Sequence, residues 1–367
     1  MIKNTKLCAI AAAVSAFAGA ASAQNVTLFG RIDAGVQYSS KVAGPDGDDI
    51  GHRTEVNNGG ILPSIWGLKG SEDLGGGLKA VFNLEADFDS STGGHRGLGN
   101  ISQPVFSRQA NVGLSSDWGT LLIGRQYSPA LLQELGTDPR GYKESFSMLL
   151  PYAANQLPPG NDLSGQNNGG AIFTSNLVSY TGKFGPFSVG AGFGLGEGNA
   201  GQGDGRTYVL GGSYTGPFVV SATYQKIEGA PDAQTERFGL GFALPWDIFT
   251  FKVLWSHAEG EDFADVVAGA DDFETDVIGV GADLKWNPSN TATIAFYYGE
   301  DKDEDEDKTK SLVLSNDYAI SKRTTLYAQY VFVDKDEQST ARTGIDLGLT
   351  PQDEKSHILG IGVKHDF

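Results

Sequence analysis

Residues 356–367 read SHILGIGVKHDF. Leu359, Ile361, Val363 and Phe367 share one parity, while Gly360, Gly362, Lys364 and Asp366 take the other. That is the two-residue period of a β-strand with one apolar and one polar face. Ends of water-soluble domains usually trail off in polar residues. A last strand closed by a bulky aromatic needs surroundings that cover both its edge and its ring.

The same period recurs along the chain. In VTLFGRIDAGVQY (26–38), Val26, Leu28, Ile32, Ala34, Val36 and Tyr38 lie opposite Thr27, Arg31, Asp33 and Gln37. FSVGAGFGL (187–195), RFGLGFAL (237–244) and VIGVGADLKW (277–286) repeat the pattern with glycine on the second face. Such segments give roughly sixteen strands of the length that spans lipid.

Lys3 and Lys6 precede an apolar run from Leu7 to Ala21, and Ala21-Ser22-Ala23 has the form of an export cleavage site. The expected division is a signal peptide over 1–23 and a β-barrel over 24–367. Cys8, the single cysteine, leaves with the leader, so neither disulfides nor cysteine metal sites are expected. Net charge is −18, or −20 without Lys3 and Lys6, which argues against nucleic acid as a partner. Past the leader, no segment has the about 20 apolar residues of a membrane helix, so any crossing uses strands.

Connection lengths choose the architecture. Tight links such as Ser115-Ser116-Asp117-Trp118, Thr215-Gly216-Pro217 and Asn287-Pro288-Ser289-Asn290 alternate with polar stretches at 39–63, 89–104, 128–173, 196–206, 226–235, 258–273, 300–308 and 334–355. Short turns at one end and long loops at the other mark an outer-membrane barrel. Lipid forbids open sheet edges, so the first and last strands must pair, with Phe367 at the lower aromatic girdle. The expected fold is therefore all-β: a transmembrane antiparallel up-and-down barrel of about 16 strands.

The sequence resembles the sixteen-stranded trimeric general porins of Gram-negative outer membranes. VTLFGRIDAGV, SIWGLKGSEDLGGGLKAVFNLE (64–85), FSRQANVGLSSDWGTLLIGRQYSPAL (106–131) and the terminal GIGVKHDF carry the likeness. The resemblance implies a homotrimer in contact with outer-membrane lipid and lipopolysaccharide, passing small hydrophilic solutes and ions. It also implies that 128–173 is the third external loop, folded into the lumen as a constriction. The loop's own content agrees: Leu131, Leu132, Phe146, Met148, Leu149 and Leu150 are more apolar than a solvated loop needs. The chain departs from the family in having Ile65 after Ser64, and Phe173-Thr174-Ser175-Asn176 ahead of strand six, where arginines often stand. His365 likewise takes a place that is more often aromatic or aliphatic.

Parity puts Arg31, Asp33, Lys69, Lys79, Asn83, Glu85 and Asp87 on the inner wall, and Glu134, Asp138, Arg140, Lys143 and Glu144 are candidates on the constriction loop. Arg108 and Arg125 share parity with apolar neighbours and stay ambiguous, with Arg125 kept among the pore candidates. Charges at a narrow point set ion preference; with the usual arginines missing, the expectation is a slight lean to cations. Glycine and short polar side chains on the inner parity are expected to leave room for water.

Three motifs lead elsewhere and are set aside. Asp301–Lys308, DKDEDEDK, has Glu306 and Leu312 where a calcium loop needs glycine and a bidentate glutamate, so it reads as a solvated turn. GEGNAG (196–201) precedes a strand, not the helix a dinucleotide fingerprint requires. Ser256-His257 is the best hydrolase candidate, but neighbours on a strand face opposite sides. No catalytic residue, cofactor or metal ligand is expected.

Overall fold

The computed structural model describes residues 25–45, 47–94, 105–155, 172–196, 206–229, 233–263, 272–305 and 307–367. The leader, Cys8 and Gln24 lie outside them. The first strands are β1 (Asn25–Ser39), β2 (Arg53–Asn58), β3 (Ile65–Gly75), β4 (Leu78–Asp87), β5 (Gln109–Ser116) and β6 (Gly119–Tyr127). Then come β7 (Phe173–Phe184), β8 (Phe187–Gly194), β9 (Thr207–Thr215), β10 (Val219–Glu228), β11 (Gln234–Trp246) and β12 (Phe249–Glu261). The last are β13 (Phe273–Asn287), β14 (Asn290–Asp301), β15 (Lys308–Ala319), β16 (Thr324–Lys335) and β17 (Lys355–Asp366).

From β3 onward each strand pairs antiparallel with the next, β1 pairs with both β2 and β3, and β17 pairs with both β16 and β1, so the sheet closes on itself. Phe367 completes the seam: its backbone exchanges hydrogen bonds with Gly30 at 3.0 and 3.2 Å. A side chain on Gly30 would collide with the Phe367 ring, so the glycine is what admits the aromatic.

Among the described residues seventeen strands fill sixteen barrel positions, because β2 and β3 share one. The lower part of β1 pairs with β3, from Asn25↔Ser71 to Arg31↔Ile65, and its upper part pairs with β2, from Ala34↔Asn58 to Ser39↔Arg53. The stretch 39–63, expected to be all loop, thus contains a strand. Residues 59–64, GGILPS, separate the two pieces; Pro63 has no N–H to give a ladder, and the paired glycines accept a sharp change of direction.

Outward residues are apolar and open, such as Leu210, Leu240, Ile294 and Ile361. Their lipid-facing band replaces the usual buried core. The principal buried cluster lies inside the cylinder: Leu254, Val277, Tyr297, Val313 and Val331 on inward faces pack against Leu131, Phe146, Met148 and Tyr152 of the segment after β6. On β12–β16 both faces are apolar in part, because lipid covers one and a loop covers the other.

Candidate functional site: the constriction of the lumen

The segment after β6 begins with a short helix, α1 (Pro129–Glu134), and reaches a second, α2 (Leu149–Ala154). Pro129 opens α1, where its missing N–H costs nothing. The loop is held by inward-facing side chains all along β10–β16. Ser128 Oγ donates to Gln225 Oε1 at 2.6 Å, and the Tyr152 hydroxyl donates to the same oxygen at 2.8 Å. Thr137 and Ser221 share a hydroxyl bond of 2.8 Å. Arg140 donates to Ser315 Oγ and Gln329 Oε1, each at 3.0 Å, and Lys143 Nζ reaches Asp317 Oδ2 at 2.7 Å.

The strongest tie is Arg237 on β11. Its Nη2 lies 2.7 Å from Glu134 Oε2 and its Nη1 3.2 Å from Oε1, and its guanidinium stacks 3.8 Å from the Tyr152 ring centroid. Tyr142 and Thr223 also donate to the Glu134 carboxylate. The inward glycines expected to make room for water make room here for the loop: a Cβ on Gly239 would strike Glu134, and one on Gly241 would strike Thr137.

Burial shifts the loop's ionisable groups. It raises the Asp138 carboxyl above its usual range, against donors from the Tyr142, Met148 and Arg140 backbone. It lowers Lys143 and Arg140 and raises the Tyr142 phenol, the last with help from the Glu134 charge.

The tip of the loop crosses to the opposite wall. Glu144 N donates to the Ile61 carbonyl at 3.2 Å, and Ser145 Oγ donates to the Gly59 carbonyl at 3.0 Å. The receiving bulge, 59–62, is fixed by Asp33, whose carboxylate accepts from the backbone N–H of Gly60, Ile61 and Leu62 at 3.3, 3.0 and 2.8 Å and from the Tyr327 hydroxyl at 2.7 Å. The loop is therefore a strap, seated on one half of the barrel and stitched to the other.

Between strap and wall lies a cavity of about 570 Å³. Arg31, Glu85, Asp87 and Arg108 line the wall side, and Leu132, Leu135 and Glu144 line the loop side. Arg108 Nε donates to Glu85 Oε1 at 2.7 Å, and its Nη1 lies 3.9 Å from Asp87 Oδ2. The guanidinium also donates to the Tyr127 hydroxyl and lies 4.7 Å from the Phe173 ring centroid. Arg108 is the wall residue that parity left ambiguous. It precedes β5, where strand alternation no longer governs direction; the acidic pair at Glu85 and Asp87 was the available signal.

The candidates thus divide. Arg31, Glu85, Asp87 and Glu144 line the cavity, with Arg31 Nε also bonded to Asp366 at 2.7 Å. Lys69 and Lys79 are exposed on inward positions of β3 and β4, Lys69 lying 5.0 Å from the Phe29 ring centroid. Asp33, Glu134, Asp138 and Arg140 are buried and bonded as described. Arg140 and Lys143 border a second space of about 310 Å³ beside Asp317 and Lys364. Arg125 is not among the cavity-lining residues; its Nε donates to the Ser107 carbonyl at 2.6 Å and its Nη1 to Ser175 Oγ at 2.7 Å.

The motifs set aside have structural surroundings of their own. Ser256 points inward to Arg237 Nε at 3.0 Å, while His257 bonds Asp276 and Glu259 on the outer face at 3.0 and 2.8 Å. Asp307 corrects the reading of a solvated turn: it is fully buried, accepting from Thr340 and Thr343 of the segment before β17. Glu306 and the greater part of GEGNAG, residues 197–201, lie outside the described residues.

A closed barrel, oily outside and narrowed within by a strap, is a passive diffusion channel of the outer membrane. Residues 9–338 match the family model described as Gram-negative porin. The chain belongs to that family. It is 29% identical to an outer membrane porin protein of Bordetella pertussis, covering 100% of both chains. It is also 29% identical to outer membrane porin protein 32 of Delftia acidovorans, over 98% of this chain and 99% of that one. Among solved structures, an anion-selective porin from Comamonas acidovorans superposes with a TM-score of 0.78 at 25% identity, covering 94% of this chain and 100% of that one. OmpT of Vibrio cholerae, in a trimer form, shares the fold with a TM-score of 0.63 at 16% identity, covering 94% of this chain and 100% of that one. Family and fold point to a channel, not an enzyme.

Proposed function

We propose that small hydrophilic solutes and ions cross through the passage between the strap and the β1–β6 wall, in a homotrimer whose chains each start at Gln24 after loss of residues 1–23. The observation that carries this reading is the one-sided seat of the loop. It fills the lumen against β10–β16 and leaves a cavity against β1–β6. The trimer form of the OmpT relative supports the assembly. Outward polar residues at the strand ends, including Lys226, Glu236, Glu274 and Lys302, would meet lipopolysaccharide headgroups.

Three carboxylates, Glu85, Asp87 and Glu144, and two guanidinium groups, Arg31 and Arg108, line the cavity. That balance favours cations slightly, because fixed charge counts most at the narrow point. Purified protein in planar bilayers under a KCl gradient tests the reading. A reversal potential of cation-favouring sign is expected; an anion-favouring sign removes the selectivity assignment. Absence of conductance, with liposomes impermeable to small sugars, removes the passage itself. Cross-linking in detergent should stop at three chains.

A further inference from the structure

Leu132 and Leu135 stand one turn apart on the free side of the strap, each 39% exposed within the lumen. A single open leucine means little, but these two do not stand alone. Phe29, Ile65, Ile172 and Phe173 line the same cavity, so its greater part is apolar. Glu85, Asp87, Arg108 and Glu144 form a charged edge beside this strip. The guanidinium of Arg108 lies against Phe173 and beside Tyr127, which joins the two regions. A passage built only for water and small ions gains nothing from such a lining, since uncovered apolar surface is unfavourable in water.

We propose that this strip makes the channel selective for organic solutes that carry an aliphatic or aromatic group next to a charged one. A solute passing along the cavity lays its apolar part on Leu132 and Leu135 and keeps its charged part at the Glu85–Arg108 edge. Partial desolvation of that apolar part offsets the cost of entering a narrow space. The inference rests on the channel reading above and adds a preference that a purely polar eyelet would reverse, because such an eyelet slows solutes with apolar surface.

Leucine and asparagine are zwitterions of the same charge and nearly the same shape, differing in the polarity of the side chain. Swelling of liposomes containing the full-length protein measures the entry of each. Leucine is expected to enter faster than asparagine, and the ratio is expected to fall about two-fold or more in Leu132→Asn/Leu135→Asn, a modest change beside the ten-fold or more that one methylene can bring in a closed enzyme pocket. KCl conductance of the same preparations reports whether the variant pore has folded and opened. The single variants Leu132→Asn and Leu135→Asn serve where the double one does not assemble. A wild-type ratio at or below one, or a ratio unmoved in the variants, overturns the inference while leaving the channel intact. Wild-type liposomes closed to KCl and to both solutes would instead remove the channel reading, and the inference with it.

Discussion

Arg237 and Glu134 meet 2.7 Å apart with both side chains almost wholly enclosed, one from the barrel wall and one from the strap. Removing one member of a buried ion pair leaves an uncompensated charge and costs about 3–5 kcal/mol. Arg237→Met should therefore loosen the strap, raising open-channel noise and exposing Glu134–Tyr142 to protease. Arg237→Met/Glu134→Gln removes both charges and should recover part of the quiet conductance. Single-channel recording with limited proteolysis checks both; a single variant as quiet and resistant as wild type would contradict the tie.

Asp33 acts at a distance from the solute path. Its carboxylate organises the bulge that receives the strap's tip, so Asp33→Ala strands three backbone donors. The expected loss is about 1–3 kcal/mol per buried group left unsatisfied. Thermal unfolding in detergent should show it, accompanied by a change in conductance even though Asp33 lines no part of the cavity. Asp33→Asn, which keeps one acceptor, should fall between.

Arg108 holds the positive side of the wall. One unit charge acting at ~7 Å through water is worth about 0.6 kcal/mol, roughly a factor of two to three in relative ion occupancy. Arg108→Gln should shift the reversal potential toward cations by that factor. Glu144→Gln should shift it the other way.

Asp138 supplies a pH test. Burial holds its folded-state pKa above the ordinary value of 3.8, so the folded loop takes up a proton more readily than the unfolded chain. Its contribution to loop stability is then complete below the unfolded pKa and is lost as pH rises through the raised folded value. Hydrogen exchange of the Arg140, Tyr142 and Met148 amides should show protection falling across that window. In Asp138→Asn the curve should be flat there.

Strand parity was legible because lipid on one side and polar contacts on the other force a period of two. The closing strand followed from the same physics: an unpaired edge cannot stand in hydrocarbon, so β17 had to meet β1. The long segment after β6 announced a packed loop through its apolar content. None of these needs a distant contact to be known.

What a charge does inside the barrel did need one. Parity put Asp33 and Glu85 on the same inner wall; the fold buries Asp33 under a bulge and sets Glu85 beside the passage. Parity was silent on Arg108, which leaves the strand ladder, and gave no role to Arg237, whose partner is 103 residues away. Glycines 239 and 241 read as space, but only the strap shows what the space admits. Alternation is a local rule imposed by backbone geometry. The strap's seat is a sum of long-range contacts between residues far apart in the chain, and only the closed barrel brings them together.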